Sequence, residues 1–249
     1  MSVNRTPTPP QRAPASPRSP RGAVVAPLAV TVGDRAGRAV GRALSASEER
    51  LRALRARRER EYEVLLDAGH RVLLRRGYHQ TRVEDIMREA GISTRAFYRF
   101  CTGKDDLFLA LFDRSNVAAM RRLAERVARH PRPSGQLDAY IDSTLDLAYK
   151  DRLRPEVRLF LTVPSELTVK YAREVAACRE QLVSLLRDVL ERGRSSGDFP
   201  HAAPEDDAWA ISGALGSTLS RVVLSDEPPP RNRVAKRLRR FCRAALIAE

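Results

Sequence analysis

The spacing of apolar side chains is helical along most of the chain after residue 44. Apolar or small residues between 65 and 73 recur at i, i+1, i+4, i+7 and i+8, which places them on one face of a helix. Gly77 is placed to end this helix, because glycine readily adopts the left-handed conformation of a C-cap. Upstream, Ser45 and Glu48 have the spacing of a capping box, so the ordered helical region is predicted to begin near Ser45. Strand-like segments are not evident, and the pattern predicts an all-α protein.

A three-residue turn, Gly91-Ile92-Ser93, joins two short predicted helices, 83–90 and 94–101. Gly91 tolerates a positive φ, Ile92 supplies an apolar plug for the crossing of the two helices, and Ser93 is an N-cap residue. This arrangement predicts a helix-turn-helix at about 83–101.

The charge of the chain favours a polyanionic partner. Lysine and arginine number 45 against 31 acidic residues, a formal net charge of +14, and the basic residues are spread along the sequence. Nucleic acid fits this balance, and so does an anionic membrane surface, which leaves open a nonspecific polyanion-binding or membrane-surface protein. Because no apolar run reaches the roughly 18–20 residues that span a bilayer, membrane insertion is not expected.

The reactive side chains indicate neither an enzyme nor a metal protein. The three cysteines, Cys101, Cys178 and Cys242, are far apart and form no CxxC pair, so a disulfide framework or metal cluster is not expected and a reducing cytoplasm is the simplest setting. The histidines are scattered, and no nucleophile elbow, phosphate-binding loop or dinucleotide fingerprint occurs. We expect no catalytic activity and no cofactor. Cys101 is either a buried inert thiol or an oxidant sensor.

Residues 1–44 differ in composition from the rest. They contain no aromatic residue and are rich in Pro, Ser, Thr and Arg, so they cannot bury enough apolar area to offset the entropy of ordering. A disordered basic arm is predicted here. It is either a solvated tail or an arm that adds contacts to DNA.

Residues 63–112 resemble the DNA-binding domain of the TetR family of transcriptional regulators. The resemblance rests on a helix, Gly and Thr, a short helix ending in Ala-Gly, a recognition helix with Tyr and Phe near its end, and Gly103-Lys104-Asp105-Asp106-Leu107 behind it. The sequence departs from the family pattern at Arg82, Met87 and Cys101. The resemblance implies an N-terminal three-helix helix-turn-helix domain, 45–112, followed by a larger helical effector-binding and dimerisation domain, 113–249.

A recognition helix reaches base edges in the major groove through its N-terminal residues and outer face. The candidates for base contacts are Thr94, Arg95 and Arg99. Phosphate contacts are expected from side chains around the helix-turn-helix, and for Lys104 and Tyr98 this role is what the resemblance implies. The phosphate set is Thr81, Arg82, Tyr98 and Lys104. Thr81 is equally interpreted as a helix cap, and Tyr98 as a core aromatic residue.

The second domain is less specific in sequence. Aromatic residues on its predicted helices either line an effector pocket or pack in the core; they are Tyr140, Phe160 and Tyr171. Two C-terminal helical segments suit an intersubunit four-helix bundle, and each of their apolar residues has intrachain packing as the alternative. The predicted dimer-interface residues are Trp209, Ile211, Leu215, Leu219, Val222, Leu238, Phe241 and Cys242.

These features together predict a sequence-specific DNA-binding transcriptional regulator. The leading hypothesis is a homodimeric repressor, released from a palindromic operator on double-stranded DNA by a small, largely apolar effector. The alternative within DNA binding is a constitutive regulator or activator that responds to no ligand.

Overall fold

The computed structural model describes residues 33–247, with side chains described at Ser45 and from residue 47 onward. Within this range every regular element is an α-helix, as the sequence predicts. The helices are α1 (Gly33–Gln80), α2 (Val83–Ala90), α3 (Thr94–Tyr98), α4 (Lys104–Ala128), α5 (Pro133–Tyr149), α6 (Arg154–Leu161), α7 (Ser165–Lys170), α8 (Ala172–Ser196), α9 (Pro204–Leu224) and α10 (Arg231–Ile247). None of these helices combines the length and the hydropathy needed to cross a bilayer.

The first helix begins earlier than the sequence predicts. The chain divides into two compact units, 1–53 and 54–249, and the described part of the first unit is helical from Gly33. The predicted start at Ser45 is therefore wrong, because Ala and Arg, which favour helices, make up most of residues 35–44. The predicted disordered arm otherwise falls on residues 1–32, which lie outside the described range.

Helix α1 is interrupted where the sequence predicts its end. Gly77 has φ 73° and ψ 170°, a conformation that side chains with a Cβ rarely adopt, and the chain turns there before Gln80. Further along, Tyr171 (φ −111°, ψ 32°) separates α7 from α8.

Two large apolar clusters fill the unit formed by residues 54–249. One joins α1, α2 and α3 to the first half of α4 and takes Leu159 and Leu167 from α6 and α7. The other joins the second half of α4 to α5, α8, α9 and α10. Since α4 contributes to both clusters, it connects the helix-turn-helix to the C-terminal helices.

Candidate nucleic-acid interface and effector cavity

The helix-turn-helix owes its geometry to three residues of the turn. Gly91 adopts φ 65° and ψ 31°, and its N–H points to the carbonyl oxygens at the end of α2, with Arg88 O at 3.3 Å. Ile92 is half-buried against the N-terminal apolar cluster. The Ser93 hydroxyl accepts a hydrogen bond from Ala96 N at 3.3 Å and so caps α3. The turn therefore forms as its residue types predict.

The recognition helix α3 is one short helical segment, with a buried side and an exposed side. Phe97 is completely buried, whereas Tyr98 beside it is 57% exposed and meets the Phe97 ring edge-on at 5.3 Å between centroids. Thr94 and Arg95 are exposed, and Arg95 forms no ion pair with another residue of the described range. The regular helix ends at Tyr98 instead of residue 101, because the chain turns at residues 99 and 100.

Unlike Arg95, Arg99 makes side-chain contacts within the protein. Its guanidinium donates to Glu61 on α1 and lies 4.9 Å from the centroid of the Phe100 ring. Tyr62 packs on the same ring, with the two centroids 5.4 Å apart. In this conformation Arg99 is held against α1 while remaining exposed, and its role as a base contact stays a prediction. Glu61 lies outside the helix-turn-helix motif, which is why the motif alone did not indicate this pair.

Thr81 and Lys104, two of the predicted phosphate contacts, form hydrogen bonds within the protein. Thr81 is only 2% exposed and its hydroxyl donates to Gly77 O at 2.7 Å, so its side chain is not available to a phosphate. The Lys104 ammonium donates to Tyr78 O at 2.8 Å and to Thr81 O at 3.0 Å, and lies 4.1 Å from the centroid of the Tyr78 ring. Burial lowers the pKa of Lys104. Lys104 thus fixes the corner between α1 and α2 with two of its three hydrogens.

Arg82 remains exposed at the N-cap of α2. Its backbone N–H donates to the Asp85 carboxylate at 3.4 Å, which satisfies one of the amides at the start of the helix. The predicted DNA contacts with exposed side chains are Arg82, Thr94, Arg95, Tyr98 and Arg99, of which Arg99 is paired with Glu61.

An ion-pair clasp joins α1 to α2 and was not indicated by the sequence. Glu89 accepts from Arg71 at 2.9 Å and from Arg75 at 2.6 Å, and Arg76 donates to Asp85 at 2.6 Å. These partners are 9 to 18 residues apart in the chain. Only the crossing of the two helices brings them together, so no local spacing rule reveals them.

The clasp predicts a dependence of stability on pH. Hydrogen bonds from Arg75 and Arg71 lower the pKa of Glu89 from 4.5 to about 2. A carboxylate with a depressed pKa stabilises the fold above its unfolded value, and this contribution is lost as the pH falls toward 2. We expect Glu89→Gln to lower the thermal unfolding temperature at pH 7, and the difference from the unchanged protein to vanish between pH 4.5 and pH 2.

The matched control is Glu84→Gln on the same helix. Glu84 is exposed and forms no ion pair within the described chain. Its substitution removes the same charge without breaking the clasp. The prediction is contradicted if Glu89→Gln lowers the unfolding temperature by the same amount from pH 7 to pH 2. It is also contradicted if Glu84→Gln lowers the unfolding temperature as much as Glu89→Gln does.

A cavity of about 1070 Å³ lies among α4, α5, α8 and α9. Much of its wall is apolar, with Phe112 and Met120 from α4, Leu182 from α8 and Leu215 from α9 among the lining residues. Its volume is at the upper end of the range typical of small-molecule sites.

The structure separates the three predicted pocket residues. Tyr140 lines the cavity, is 2% exposed and donates to Leu182 O at 3.1 Å. Phe160 does not line it; its ring packs edge-on against Phe108 and Phe112, at 5.4 and 5.3 Å between centroids. Tyr171 does not line it either. Residues of the core and residues of the cavity wall follow the same helical spacing, so the sequence pattern could not tell which aromatic residues line the cavity.

Tyr171 belongs instead to a junction between the C-terminal helices and the start of α4. Its hydroxyl donates to Asp106 at 3.1 Å, and Lys170 pairs with Asp105 at 2.8 Å. Asp105 also accepts from the Tyr78 hydroxyl, and Asp106 accepts from Thr102 N at 2.9 Å. The junction therefore ties the α7–α8 corner to the segment that directly follows the recognition helix.

Most of the predicted dimer-interface residues are buried within one chain. Their exposed fractions range from 0% to 7%, and they belong to the intrachain apolar clusters: Ile211, Leu215, Val222, Leu238 and Cys242. These five side chains pack within their own chain, and Leu238 also lines a groove on the surface, so their place in a dimer interface stays a prediction. Trp209 and Phe241 are 42% and 50% exposed, and Leu219 is half-buried. A groove of about 500 Å³ between α9 and α10 is lined by Ala214, Ser217 and Phe241 among others.

Cys101 is 4% exposed, and burial raises the pKa of its thiol to about 11. Since the thiolate is the reactive form, this environment favours the inert buried thiol over the oxidant sensor. The sulfur fills space beneath the recognition helix within the N-terminal apolar cluster.

A braced helix-turn-helix with an exposed N-terminal turn on its second helix defines a DNA-binding protein of the helix-turn-helix class. Residues 65–111 match the family model described as bacterial regulatory proteins, tetR family. The helix-turn-helix segment of the chain is thus similar to the DNA-binding segment of tetR-family bacterial regulatory proteins.

Known proteins of Bacillus subtilis (strain 168) resemble different lengths of the chain. A fatty acid metabolism regulator protein is 22% identical over 168 residues, which cover 67% of this chain and 86% of the relative. An uncharacterized HTH-type transcriptional regulator is 43% identical over 61 residues, covering 24% of this chain and only 27% of that protein. The solved structure of FadR from the same species in complex with stearoyl-CoA is similar in fold, with a TM-score of 0.61 and 20% identity, covering 74% of this chain and 98% of FadR.

Proposed function

We propose that this protein is a homodimeric repressor that binds a near-palindromic operator and is released from it by a ligand with a long apolar chain. The observation that carries the proposal is the presence, in one chain, of a free recognition-helix arginine, Arg95, and a cavity of about 1070 Å³. Because its target is DNA, we place its action in the cytoplasm.

The DNA contacts divide by chemistry. Arg95 donates two hydrogen bonds to the N7 and O6 atoms of guanine, and Thr94 contacts a neighbouring base through its hydroxyl or methyl group. Tyr98 and Arg82 bind phosphates, which set the register of the helix in the groove and carry no sequence information. The third hydrogen of the Lys104 ammonium is directed to a phosphate, while the other two keep the α1–α2 corner in place.

The effector is an acyl compound. The apolar lining of the cavity supports a long hydrocarbon chain, and the relative that binds stearoyl-CoA has the same fold. A cavity of this size exceeds the minimum for a drug-sized ligand and accommodates an extended chain.

The second copy covers the exposed faces of α9 and α10. Trp209, Phe241 and the groove between these helices are the surfaces that remain open in one chain. A two-fold symmetric dimer presents two recognition helices to two half-sites, which is the reason for a near-palindromic operator.

Release requires that the ligand bind better to the conformation that does not fit DNA, with a typical coupling of about 1–3 kcal/mol. The junction of Lys170 and Tyr171 with Asp105 and Asp106 is the route we propose for this coupling. Helix α8, which begins at this junction, also carries Cys178 and Leu182 on the cavity wall.

The test begins with selection of genomic DNA on the full-length protein at near-physiological salt with excess competitor DNA. We expect one short, near-palindromic sequence to be enriched, and stearoyl-CoA to weaken its binding by tenfold or more, measured by fluorescence anisotropy. Affinity for the operator that is unchanged by acyl ligands identifies a ligand-independent regulator. Enrichment of no sequence, together with a steep salt dependence for all DNA, identifies a nonspecific polyanion-binding protein.

The same assay tests Arg95 directly. We expect Arg95→Ala to weaken operator binding by about tenfold to a hundredfold, the value of a bidentate arginine–guanine contact of about 1–3 kcal/mol, with little change in binding to random DNA. Arg194→Ala is the control, because Arg194 is an exposed arginine in the last turn of α8 paired only with Glu191 among described residues. If Arg95→Ala weakens binding to the operator and to random DNA equally, Arg95 contacts a phosphate and does not read a base.

A further inference from the structure

Arg99, the residue that directly follows α3, is held by two different kinds of contact. Its Nη2 donates a hydrogen bond to Oε2 of Glu61, and its guanidinium carbon lies 4.9 Å from the centroid of the Phe100 ring. Arginine is suited to both, because its planar guanidinium stacks on aromatic rings and forms charge-assisted hydrogen bonds with carboxylates. The Arg99 side chain is nevertheless 48% exposed. Arg99 is therefore ordered while it remains open to solvent.

The ring that contacts Arg99 is fixed by its own neighbours. Phe100 is half-buried and packs against the N-terminal apolar cluster, and the Tyr62 ring lies beside it with 5.4 Å between the centroids. Arg58 approaches the same ring, at 5.8 Å from its centroid. The surface on which Arg99 lies is thus built jointly by α1 and the segment after α3.

Glu61 holds Arg99 without leaving an unpaired negative charge on this surface. Its Oε2 accepts from Arg99, and its Oε1 accepts from Nε of Arg57 at 3.1 Å. One carboxylate is therefore matched by two guanidinium groups. The cluster keeps a net positive charge, which suits a polyanion such as DNA.

Most of the hydrogen-bond donors of Arg99 remain available. A guanidinium has several N–H donors, and among residues 47–247 the Arg99 side chain donates only to Glu61. A pair of N–H groups suffices for the O6 and N7 atoms of guanine. An arginine that is already ordered also loses less side-chain entropy on binding than one that rotates freely. The pair with Glu61 and a contact to a base can therefore exist at the same time.

We propose that Glu61 is a positioning residue for DNA recognition: together with the Phe100 ring, it holds Arg99 in the direction in which Arg99 reads one base pair of the operator. Glu61 itself touches no DNA and acts through Arg99 alone. This proposal rests on the proposed function, since it concerns the same operator. The opposite role would be competition, in which Glu61 withholds Arg99 from DNA. Positioning is favoured because Glu61 engages only Nη2 and leaves Arg99 exposed.

A double-mutant cycle on the operator tests this role. We expect Glu61→Ala to weaken operator binding by roughly threefold to tenfold in fluorescence anisotropy, the effect of losing the preorganisation of one side chain, with random DNA bound equally or slightly more tightly. Arg99→Ala should weaken operator binding more. In the Arg99→Ala background, Glu61→Ala should change operator binding by less than about twofold, because the group through which Glu61 acts is gone.

The base pair that Arg99 contacts provides a readout that a general loss of stability does not move. A set of operators, each with one base pair changed, shows where Arg99→Ala loses discrimination. We expect Glu61→Ala to lose part of the discrimination at that same base pair and to keep it at the others. All variants are compared at a temperature at which circular dichroism shows them to be folded.

Glu63→Ala is the matched control. Glu63 lies on the same helix and pairs with Arg114 of α4 at 3.0 Å, and Arg114 keeps a second partner in Asp67 at 2.9 Å. The substitution removes the same charge from α1 and leaves Arg99 and its partners unchanged. Operator binding should therefore change by less than about twofold.

The possible outcomes separate this proposal from the proposed function. Tighter operator binding by Glu61→Ala would identify Glu61 as a competitor for Arg99 and overturn the proposal. It is also overturned if Arg99→Ala leaves operator binding unchanged, or if Glu61→Ala has the same effect with and without Arg99; in each case the operator itself remains. If genomic selection enriches no sequence, the proposed function fails, and the positioning role of Glu61 fails with it.

Discussion

Replacing Phe97 with alanine is expected to destabilise the helix-turn-helix by about 3–5 kcal/mol, the usual cost of removing a fully buried phenylalanine. The ring is completely buried in the cluster that joins α1, α3 and α4. Cys101 and Ile86 belong to the same cluster. For a chain of this length, such a loss lowers the thermal unfolding temperature by roughly 6–20 °C. Circular dichroism with increasing temperature measures it.

The neighbouring residue supplies the control. Tyr98 is 57% exposed, so Tyr98→Ala should change stability by no more than about 0.5 kcal/mol while weakening DNA binding through the loss of a phosphate contact. Operator binding by Phe97→Ala should recover at temperatures where the variant is folded. If Tyr98→Ala lowers the unfolding temperature as much as Phe97→Ala does, the division of α3 into a buried and a DNA-facing side is wrong.

Local chemistry explains why the helix-turn-helix could be predicted from the sequence. The positive φ at Gly91 and the hydroxyl cap at Ser93 each depend on residues only a few positions apart. The break in α1 at Gly77 has the same local origin. Such features follow from residue type and spacing, because their hydrogen-bond partners lie within one helical turn.

The partners of long charged side chains could not be predicted in this way. Arg99 meets Glu61 from a position 38 residues away, and Lys170 meets Asp105 from 65 residues away. The flexible stems of arginine and lysine reach any carboxylate that the fold brings near. The sequence therefore identified the basic residues around the recognition helix, but it did not show which of them form ion pairs or hydrogen bonds within the protein.

The dimer surface shows a different ambiguity. Helical periodicity finds the apolar face of α9 and α10, but the same period describes a face that packs on its own chain and one that packs on a partner. Ile211 and Leu215 turned out to face the intrachain core, whereas Trp209 and Phe241 lie outside it. The small residues of α9, such as Gly213, are on the exposed side, which allows close approach of a second copy.

The effector cavity was hidden from the sequence because its charges and apolar residues come from separate helices. Nothing in the sequence distinguishes Arg122 and Arg179 from other arginines, and the packing of α4 against α5 and α8 sets them around one cavity. The sequence predicts a small, largely apolar effector. The assembled wall combines apolar side chains with six basic ones.

Substituting Gly193 with alanine is expected to have the second large effect, in the C-terminal helices. A Cβ at this position would lie 2.0 Å from Cδ2 and 2.7 Å from Cε2 of Phe199. The ring is 1% exposed, and Phe199 N donates to Gly193 O at 3.0 Å, so the backbone holds the ring against the glycine. Phe199 must leave its site, and we expect a loss of about 3–5 kcal/mol, comparable with deleting the ring. Urea unfolding followed by circular dichroism measures this loss.

Gly213→Ala is the matched control on α9. It makes the same chemical change in a helix interior, yet a Cβ there meets no atom within 4 Å. Because alanine favours helices over glycine, this variant should be neutral or more stable by about 0.5–1 kcal/mol. Since Phe199 and Tyr140 share one apolar cluster, Gly193→Ala should also weaken ligand binding to the cavity that Tyr140 lines. A Gly193→Ala protein as stable as Gly213→Ala would mean that the Phe199 ring is not fixed over the glycine.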